Sequence, residues 1–251
     1  MRGHDPGAGG QVVSEVLDAA AAAAMSGDRA LLISPLAGGA GPWLVDTSGG
    51  LIAGAAAIPF ADLADAASDA LAQGTGRIVE ATAGDFFVEP VSPAPRLLVM
   101  GATPASEPLV AMAALAGYRV IVLDPRPAFA DADRFPAAED VITGRADDVL
   151  DRLVFDEQTF VTSLLHDARF EDPLLTLALR SPAPYIGAMG SRGTHADRLE
   201  RLAAAGFGED DLSRIHGPIG LDLGSTTPAE MAVAIVAEMI AVRRGRKSPG
   251  V

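Results

Sequence analysis

The sequence predicts an α/β protein: a parallel sheet with helices on both faces, preceded by a small α+β domain. Two observations carry this. From residue 96 onward, unbroken apolar runs alternate with helical patterns, as in strands buried on both faces. Before residue 90 the apolar runs are short and separated by Gly-, Pro- and Ser-rich turns, as in antiparallel strands. Between these regions Pro90, Pro93 and Pro95 fall within six positions. Such density marks a stiff connector, so one domain is expected over 11–90 and a second over 95–245.

In the first domain, Val12, Val13, Val16, Leu17 and the following alanines suit a helix over 11–25 that stops at Gly27. Strands are expected over 30–34, 43–46 and 51–52. Phe60, Leu63, Ala64, Ala67 and Leu71 share one helical face over 60–73, with Gly74 as C-cap. Strands over 76–81 and 86–89 complete the domain.

In the second domain, strands are expected over 96–100, 118–124, 141–142, 159–164 and 185–188, with helices over 105–116, 147–153 and 172–180. Asp172-Pro173 supplies an N-cap and a proline for the first turn of the last of these. Ser191 caps a helix over 192–205 that carries Leu199 and Leu202 on one face. Thr227-Pro228-Ala229-Glu230 is a capping box that starts a helix running to Arg243.

Composition narrows the function classes. With 49% hydrophobic and 21% charged residues the chain has the profile of a soluble globular protein. No apolar run reaches membrane-spanning length, and residues 1–10 read as a floppy leader without a signal core. A net charge of −14 argues against nucleic acid and anionic membranes, so an anionic ligand needs a local basic focus. Cysteine is absent, which removes thiolate nucleophiles, thiolate metal ligands and sulfur relays. The cluster Arg243-Arg244-Gly245-Arg246-Lys247 complements a helix C-terminus and reads as a solvated tail.

Open parallel sheets bind ligands beyond the carboxyl ends of their strands. That rule selects residues 101–106, Asp124 to Arg126, His166-Asp167, Gly190-Ser191-Arg192 and Asp222. At Gly190-Ser191-Arg192, glycine permits close backbone approach, the helix start offers N–H groups, and Arg192 adds a planar charged fork. The same residues also make an ordinary strand–turn–helix joint with a solvated arginine, and spacing alone does not separate the two. His195 lies three residues after Arg192 and can share its face.

Gly101-Ala102-Thr103-Pro104-Ala105-Ser106 stands where a dinucleotide fingerprint would stand, but only its first glycine is present. Pro104 and Pro108 remove two N–H donors from that region. Asp124 follows Gly101 by 23 residues, about right for a ribose-binding acid, yet without the loop no NAD or NADP binding is expected. His166-Asp167 at a strand end could bind metal, exchange protons or orient a ligand, or merely cap local backbone.

Four segments carry a family resemblance: Leu165-His166-Asp167, Tyr185-Ile186-Gly187-Ala188-Met189-Gly190-Ser191-Arg192, His216-Gly217-Pro218-Ile219-Gly220-Leu221-Asp222-Leu223-Gly224, and Thr227-Pro228-Ala229-Glu230. In order and spacing they resemble the XdhC/CoxI family, accessory proteins of xanthine dehydrogenase and CO dehydrogenase. The resemblance covers about residues 95–245 and is weak before Pro90. It implies a Rossmann-like C-terminal domain, binding of molybdenum cofactor (molybdopterin), help with its sulfuration and its transfer to a molybdenum hydroxylase. It also implies a homodimer in the cytoplasm and a sulfur-donating enzyme as a further partner.

The chain departs from the family pattern where a cysteine-bearing segment is expected. Residues 54–60 read Gly-Ala-Ala-Ala-Ile-Pro-Phe, a second Cys-Gly-Gly segment is missing between Ala83 and Phe86, and the usual Gly-Ala-Gly-His turn reads Gly101-Ala102-Thr103-Pro104.

The expected function is therefore that of a non-catalytic accessory protein with no catalytic or metal-ligating residues of its own. Its cofactor-binding set is Gly101, Asp124, His166, Asp167, Gly190, Ser191, Arg192, His195 and Asp222. Two other readings stand beside it: a nucleotide-dependent oxidoreductase that uses Asp124, and a ligand-free interaction module.

Overall fold

The computed structural model describes residues 6–37, 41–54 and 60–246. The chain forms two compact units that divide between Ala94 and Pro95.

In the first unit an antiparallel sheet has the order β3-β2-β1-β5-β4. Its strands are β1 (Ala30–Pro35), β2 (Trp43–Asp46), β3 (Leu51–Gly54), β4 (Arg77–Ala81) and β5 (Gly84–Val91). Alternation along β1 sends Ala30 and Leu32 to one face, with Val16 and Ala20 of α1 (Pro6–Ser26). Leu31 and Ile33 go to the other, with Ala67 and Ala70 of α2 (Ala64–Gln73). A 3-10 turn, Phe60–Leu63, leads into α2, and Gly74 caps it in the left-handed region.

Two expectations change here. Residues 6–10 are helical where a floppy leader was expected, because an established helix extends at little cost; residues 1–5 lie outside the described residues. Pro90 lies inside β5, opposite Leu31, rather than in a connector. β4 pairs only as far as Val88, so the missing N–H of Pro90 faces an unpaired side. The altered 54–60 segment falls largely on residues 55–59, outside the described residues.

The second unit is a six-stranded, all-parallel sheet of order β11-β10-β9-β6-β7-β8. The strands are β6 (Arg96–Met100), β7 (Arg119–Asp124), β8 (Asp140–Thr143), β9 (Thr159–Ser163), β10 (Tyr185–Ala188) and β11 (Ile215–His216). The helices are α3 (Ser106–Leu115), α4 (Ala168–Leu179), α5 (Arg192–Ala204), α6 (Glu209–Leu212) and α7 (Pro228–Arg243). Strand order reverses between β6 and β9, the switch point of a Rossmann-type sheet. Leu97 and Val99 of β6 pack with Leu109 of α3 and Ile235 and Met239 of α7. Leu98 and Met100 point to the other face, with Leu174 and Leu175 of α4 and Leu202 of α5.

Three local differences stand out. The helix expected over 147–153 is only a 3-10 turn, Leu150–Arg152, because Arg145 pairs with Asp147 and Asp148 and holds the chain in a turn. α4 starts one turn earlier than expected: Asp167 is its N-cap, accepting from Arg169 N–H at 3.0 Å, and Pro173 sits inside the helix. Asp172 instead forks to Arg201, at 3.0 Å on both oxygens. The strand β11 and the short α6 had no signal in the periodicity. Among the described residues no helix is long and apolar enough to cross a membrane.

Candidate functional site

At the switch point an open cleft of ≈ 730 Å³ is lined by Thr103 and Pro104 after β6, Arg126 after β7, residues 164–168 after β9, and Met189 after β10. Its floor is apolar, from Leu164, Leu165 and Met189. Its shape begins at Gly101, whose φ of +105° suits glycine and where a Cβ would lie 2.8 Å from Leu165 Cγ.

The turn that follows satisfies its own donors. Ala102 N–H donates to Asp124 Oδ2 at 2.7 Å, and Thr103 N–H donates to Ser106 Oγ at 3.0 Å. The buried Ser106 hydroxyl in turn donates to the Gly101 carbonyl. Pro104 has no N–H at all. A pyrophosphate would need these donors, and they are committed.

Asp124 ends β7 fully buried and does not line the cleft. Its Oδ1 accepts from the N–H and Nε of Arg126, both at 2.9 Å, and its Oδ2 from Arg126 Nη2 at 2.8 Å. Burial opposes its ionisation, but the Arg126 guanidinium and the Ala102 and Arg126 N–H groups outweigh it, and its carboxyl titrates below the usual range. The group that reaches the cleft from β7 is therefore Arg126, with Phe129 stacked 4.0 Å from its guanidinium carbon.

His166 is exposed on the cleft rim and makes no hydrogen bond among the described residues. Asp167 beside it is committed to the α4 start and to Arg169, 3.0 Å to Nε and 2.6 Å to Nη2. The Arg169 guanidinium and N–H lower its pKa to about 2.

After β10, Gly190 has φ +145° and a Cβ there would lie 2.9 Å from Thr194 Cγ2. Ser191 caps α5, its Oγ accepting from Thr194 N–H at 3.1 Å. Arg192, the first residue of α5, is exposed and touches no described residue through a hydrogen bond, ion pair or ring. His195 does not join it. The imidazole turns inward so closely on Gly217 that a Cβ there would lie 2.1 Å from His195 Nδ1. Arg198 Nη1 donates to that Nδ1 at 3.2 Å, since arginine only donates. Burial first, and the Arg198 charge second, push the His195 pKa down.

Two buried clusters were not foreseen. Arg198 has no exposure at all; its Nη2 donates to Glu171 Oε1 at 2.9 Å and to the Met189 carbonyl at 2.6 Å, and Ser163 donates to the same Glu171 oxygen at 3.1 Å. This network ties the ends of β9 and β10 beneath the cleft. The available signal was the position of Arg198, four residues before Leu202 on the buried stripe of α5.

In the second cluster Tyr185 and Gly220 N–H donate to Glu238 Oε2, at 2.6 and 2.9 Å, while His216 Nδ1 lies 3.2 Å from Oε1. Burial raises the Tyr185 pKa, and the Glu238 charge adds to it. Asp222 lies beyond this cluster, exposed and away from the cleft lining. The cleft thus gathers His166, Asp167 and the turn after Gly101, whereas Asp124, Gly190, Ser191, Arg192, His195 and Asp222 are not among its lining residues.

Known proteins share this part of the chain. The family model described as XdhC Rossmann domain matches residues 97–239. A probable xanthine dehydrogenase subunit of Bacillus subtilis (strain 168) is 32% identical over 160 residues, covering 64% of this chain and 46% of that protein. Molybdenum cofactor insertion chaperone PaoD of Escherichia coli (strain K12) is 28% identical over 151 residues, covering 60% of this chain and 41% of that protein. The chain spans less than half the length of either relative. A crystal structure of a xanthine dehydrogenase from Bacillus halodurans shares the fold, with TM-score 0.68 and 24% identity over 94% of this chain and 65% of that one. On the match that covers most of its second unit, the chain belongs to the XdhC family.

Proposed function

We propose that this protein is an accessory factor of a molybdenum hydroxylase, which takes molybdenum cofactor as cargo at the β6/β9 cleft and delivers it to the client enzyme. The name of the PaoD relative, a cofactor insertion chaperone, supports this reading. The observation that carries it is Arg192, which lies outside the cleft lining but three residues along the chain from Met189, and which has no protein partner among the described residues at the start of α5, where a cation opposes the helix dipole. A phosphate there would satisfy it together with the first N–H groups of the helix.

The chemistry of the donor set fits the organic part of the cargo. An apolar floor suits a flat pterin, and Arg192 suits its phosphate. The metal end finds no thiolate, since the chain has no cysteine, and no cluster of three metal-ligating side chains occurs among the described residues. Sulfuration would then fall to a separate sulfur-donating enzyme that meets this protein or its client. A homodimer and a CO dehydrogenase-type client belong to the same proposal. The oxidoreductase alternative is disfavoured by the committed donors after Gly101.

The test is transfer. Cofactor-free xanthine dehydrogenase is incubated with sulfurated molybdenum cofactor, with and without this protein, and the recovered activity is followed in time. Faster or fuller recovery with the protein is expected; identical recovery overturns the chaperone reading.

A further inference from the structure

The two faces of the parallel sheet are finished differently. On one face α4 and α5 turn charge to the outside, with Arg169, Arg180, Asp197 and Glu200 exposed. On the other, α3 and α7 lie side by side and are apolar nearly all round. The one charged residue of α3 is Glu107, in its first turn. Between Glu230 and Arg243, α7 carries only Glu238, which is buried and accepts from Tyr185. The outer surface of the pair is therefore apolar. Leu115, Val233 and Ile240 are 89%, 48% and 37% exposed, and Ala111 is exposed one turn before Leu115. A helix that is apolar on every side is normally a buried one, and apolar surface shared by two such helices marks a docking face.

We propose that two copies of the chain meet on this face, α7 against α7, antiparallel about a two-fold axis at Ala237. This rests on the homodimer in the proposed function and not on the cargo. The pattern of α7 selects a second copy as the occupant. Glu230, Val233, Ala237, Ile240 and Arg244 recur at intervals of three and four and so share one side of the helix. Outward from Ala237 the stripe is apolar in both directions, then acidic toward the N-terminus and basic toward the C-terminus. Glu230 and Arg244 each lie seven residues from Ala237. An antiparallel copy therefore brings Glu230 opposite Arg244 twice and sets Val233 against Ile240 and Ala241, as a self-complementary two-fold contact requires. The small, half-buried Ala237 at the centre lets the helix axes come close. A partner with charge of one sign would match one end of the stripe and oppose the other. A net charge of −14 makes two copies repel, so they meet where an apolar centre and paired charges offset that repulsion.

The experiment uses the full chain, whose lack of cysteine makes a single introduced thiol unambiguous. Sedimentation equilibrium gives the dimer constant of the wild type. Val233→Glu and Ile240→Glu, both at exposed positions, should each weaken the dimer roughly 10- to 100-fold while leaving the melting point of the fold nearly unchanged. Ala237→Cys should be bridged to a covalent dimer by a bismaleimide of about 8–10 Å reach, the spacing of packed helix axes. Ala203→Cys, on the exposed side of α5, should not be bridged. If the Glu variants fail to fold, the cross-link at Ala237→Cys decides by itself. A dimer that both Glu variants leave intact and that Ala237→Cys does not bridge overturns the assignment and leaves the homodimer standing on another face. A wild type that stays monomeric at the highest concentration reached overturns both. A monomer that binds cofactor-free xanthine dehydrogenase, and loses that binding in Ile240→Glu, also overturns the assignment and gives the face to the client. The transfer assay reads the cargo proposal separately in every case.

Discussion

Arg198 and Glu171 form a fully buried ion pair, Nη2 to Oε1 at 2.9 Å, directly beneath the loops that end β9 and β10. The pair joins Ser163, Met189 and His195 into one network, and Arg198 Nε remains buried without a partner among the described residues. Removing one member of such a pair leaves an uncompensated charge, at a cost of about 3–5 kcal/mol. Arg198→Met or Glu171→Gln alone should therefore lower stability by that order. The double variant should cost clearly less than the sum of the singles, measured in a denaturant double-mutant cycle. Additive effects would mean that the two charges do not depend on each other.

Acid should weaken the second unit in two separate steps. His195 has a folded pKa below its ordinary 6.5, so the unfolded chain takes the proton first and stability falls as pH drops below 6.5. Asp167 has a folded pKa of about 2 against an ordinary 3.8, so its contribution is present above about pH 4 and is lost as pH falls from there toward 2. Glu238 acts in the same sense: burial opposes its charge, but His216, Tyr185 and Gly220 hold its carboxyl below the usual range. His195→Gln should abolish the upper step and keep the lower one, as read from denaturation midpoints across pH 2–8. An unchanged upper step would assign it to another group.

The sheet was legible because burial on both faces leaves apolar runs, and the caps at Ser191 and Thr227 were legible because each is a local hydrogen bond written in a few residues. The start of α4 was misplaced because Asp172-Pro173 imitates the cap that Asp167 supplies. In the candidate site, the loops at strand ends were readable, but the partners of their side chains were not. Asp124 stands where a ribose-binding acid would stand, and only its bonds to Ala102 and Arg126 reveal that it serves the turn. Arg198 could not be separated from a surface charge by composition, since its partner Glu171 lies 27 residues away.

Dinucleotides should bind poorly. The donors that would meet a pyrophosphate are engaged by Asp124 and Ser106, or missing at Pro104. Calorimetry with NAD, NADP and their reduced forms should show no micromolar binding, that is, nothing near −8 kcal/mol. Affinity in that range would favour the oxidoreductase reading.

Limited proteolysis should separate the two units between Val91 and Arg96. β5 ends at Val91 and β6 begins at Arg96, so the backbone between them lies outside both sheets. The fragment that begins near Arg96 should survive longest. Early cleavage within α4 or α5 would contradict the division.

Arg192 is the decisive residue for the cargo reading. Wild-type protein should melt at a higher temperature with molybdopterin than without, because a ligand bound only by the folded state stabilises it. Hydrogen bonds to charged groups contribute roughly 1.5–3 kcal/mol, so Arg192→Ala should weaken binding about 10- to 100-fold and shrink that shift. Without ligand the substitution should cost almost nothing. Arg192 has no partner to lose among the described residues, and at the first position of α5 its charge opposes the dipole. An arginine that served packing alone would show the opposite pattern, a lower melting point without ligand and an unchanged ligand shift. Equal ligand shifts in wild type and Arg192→Ala would place the phosphate elsewhere and remove the observation on which the proposed function rests.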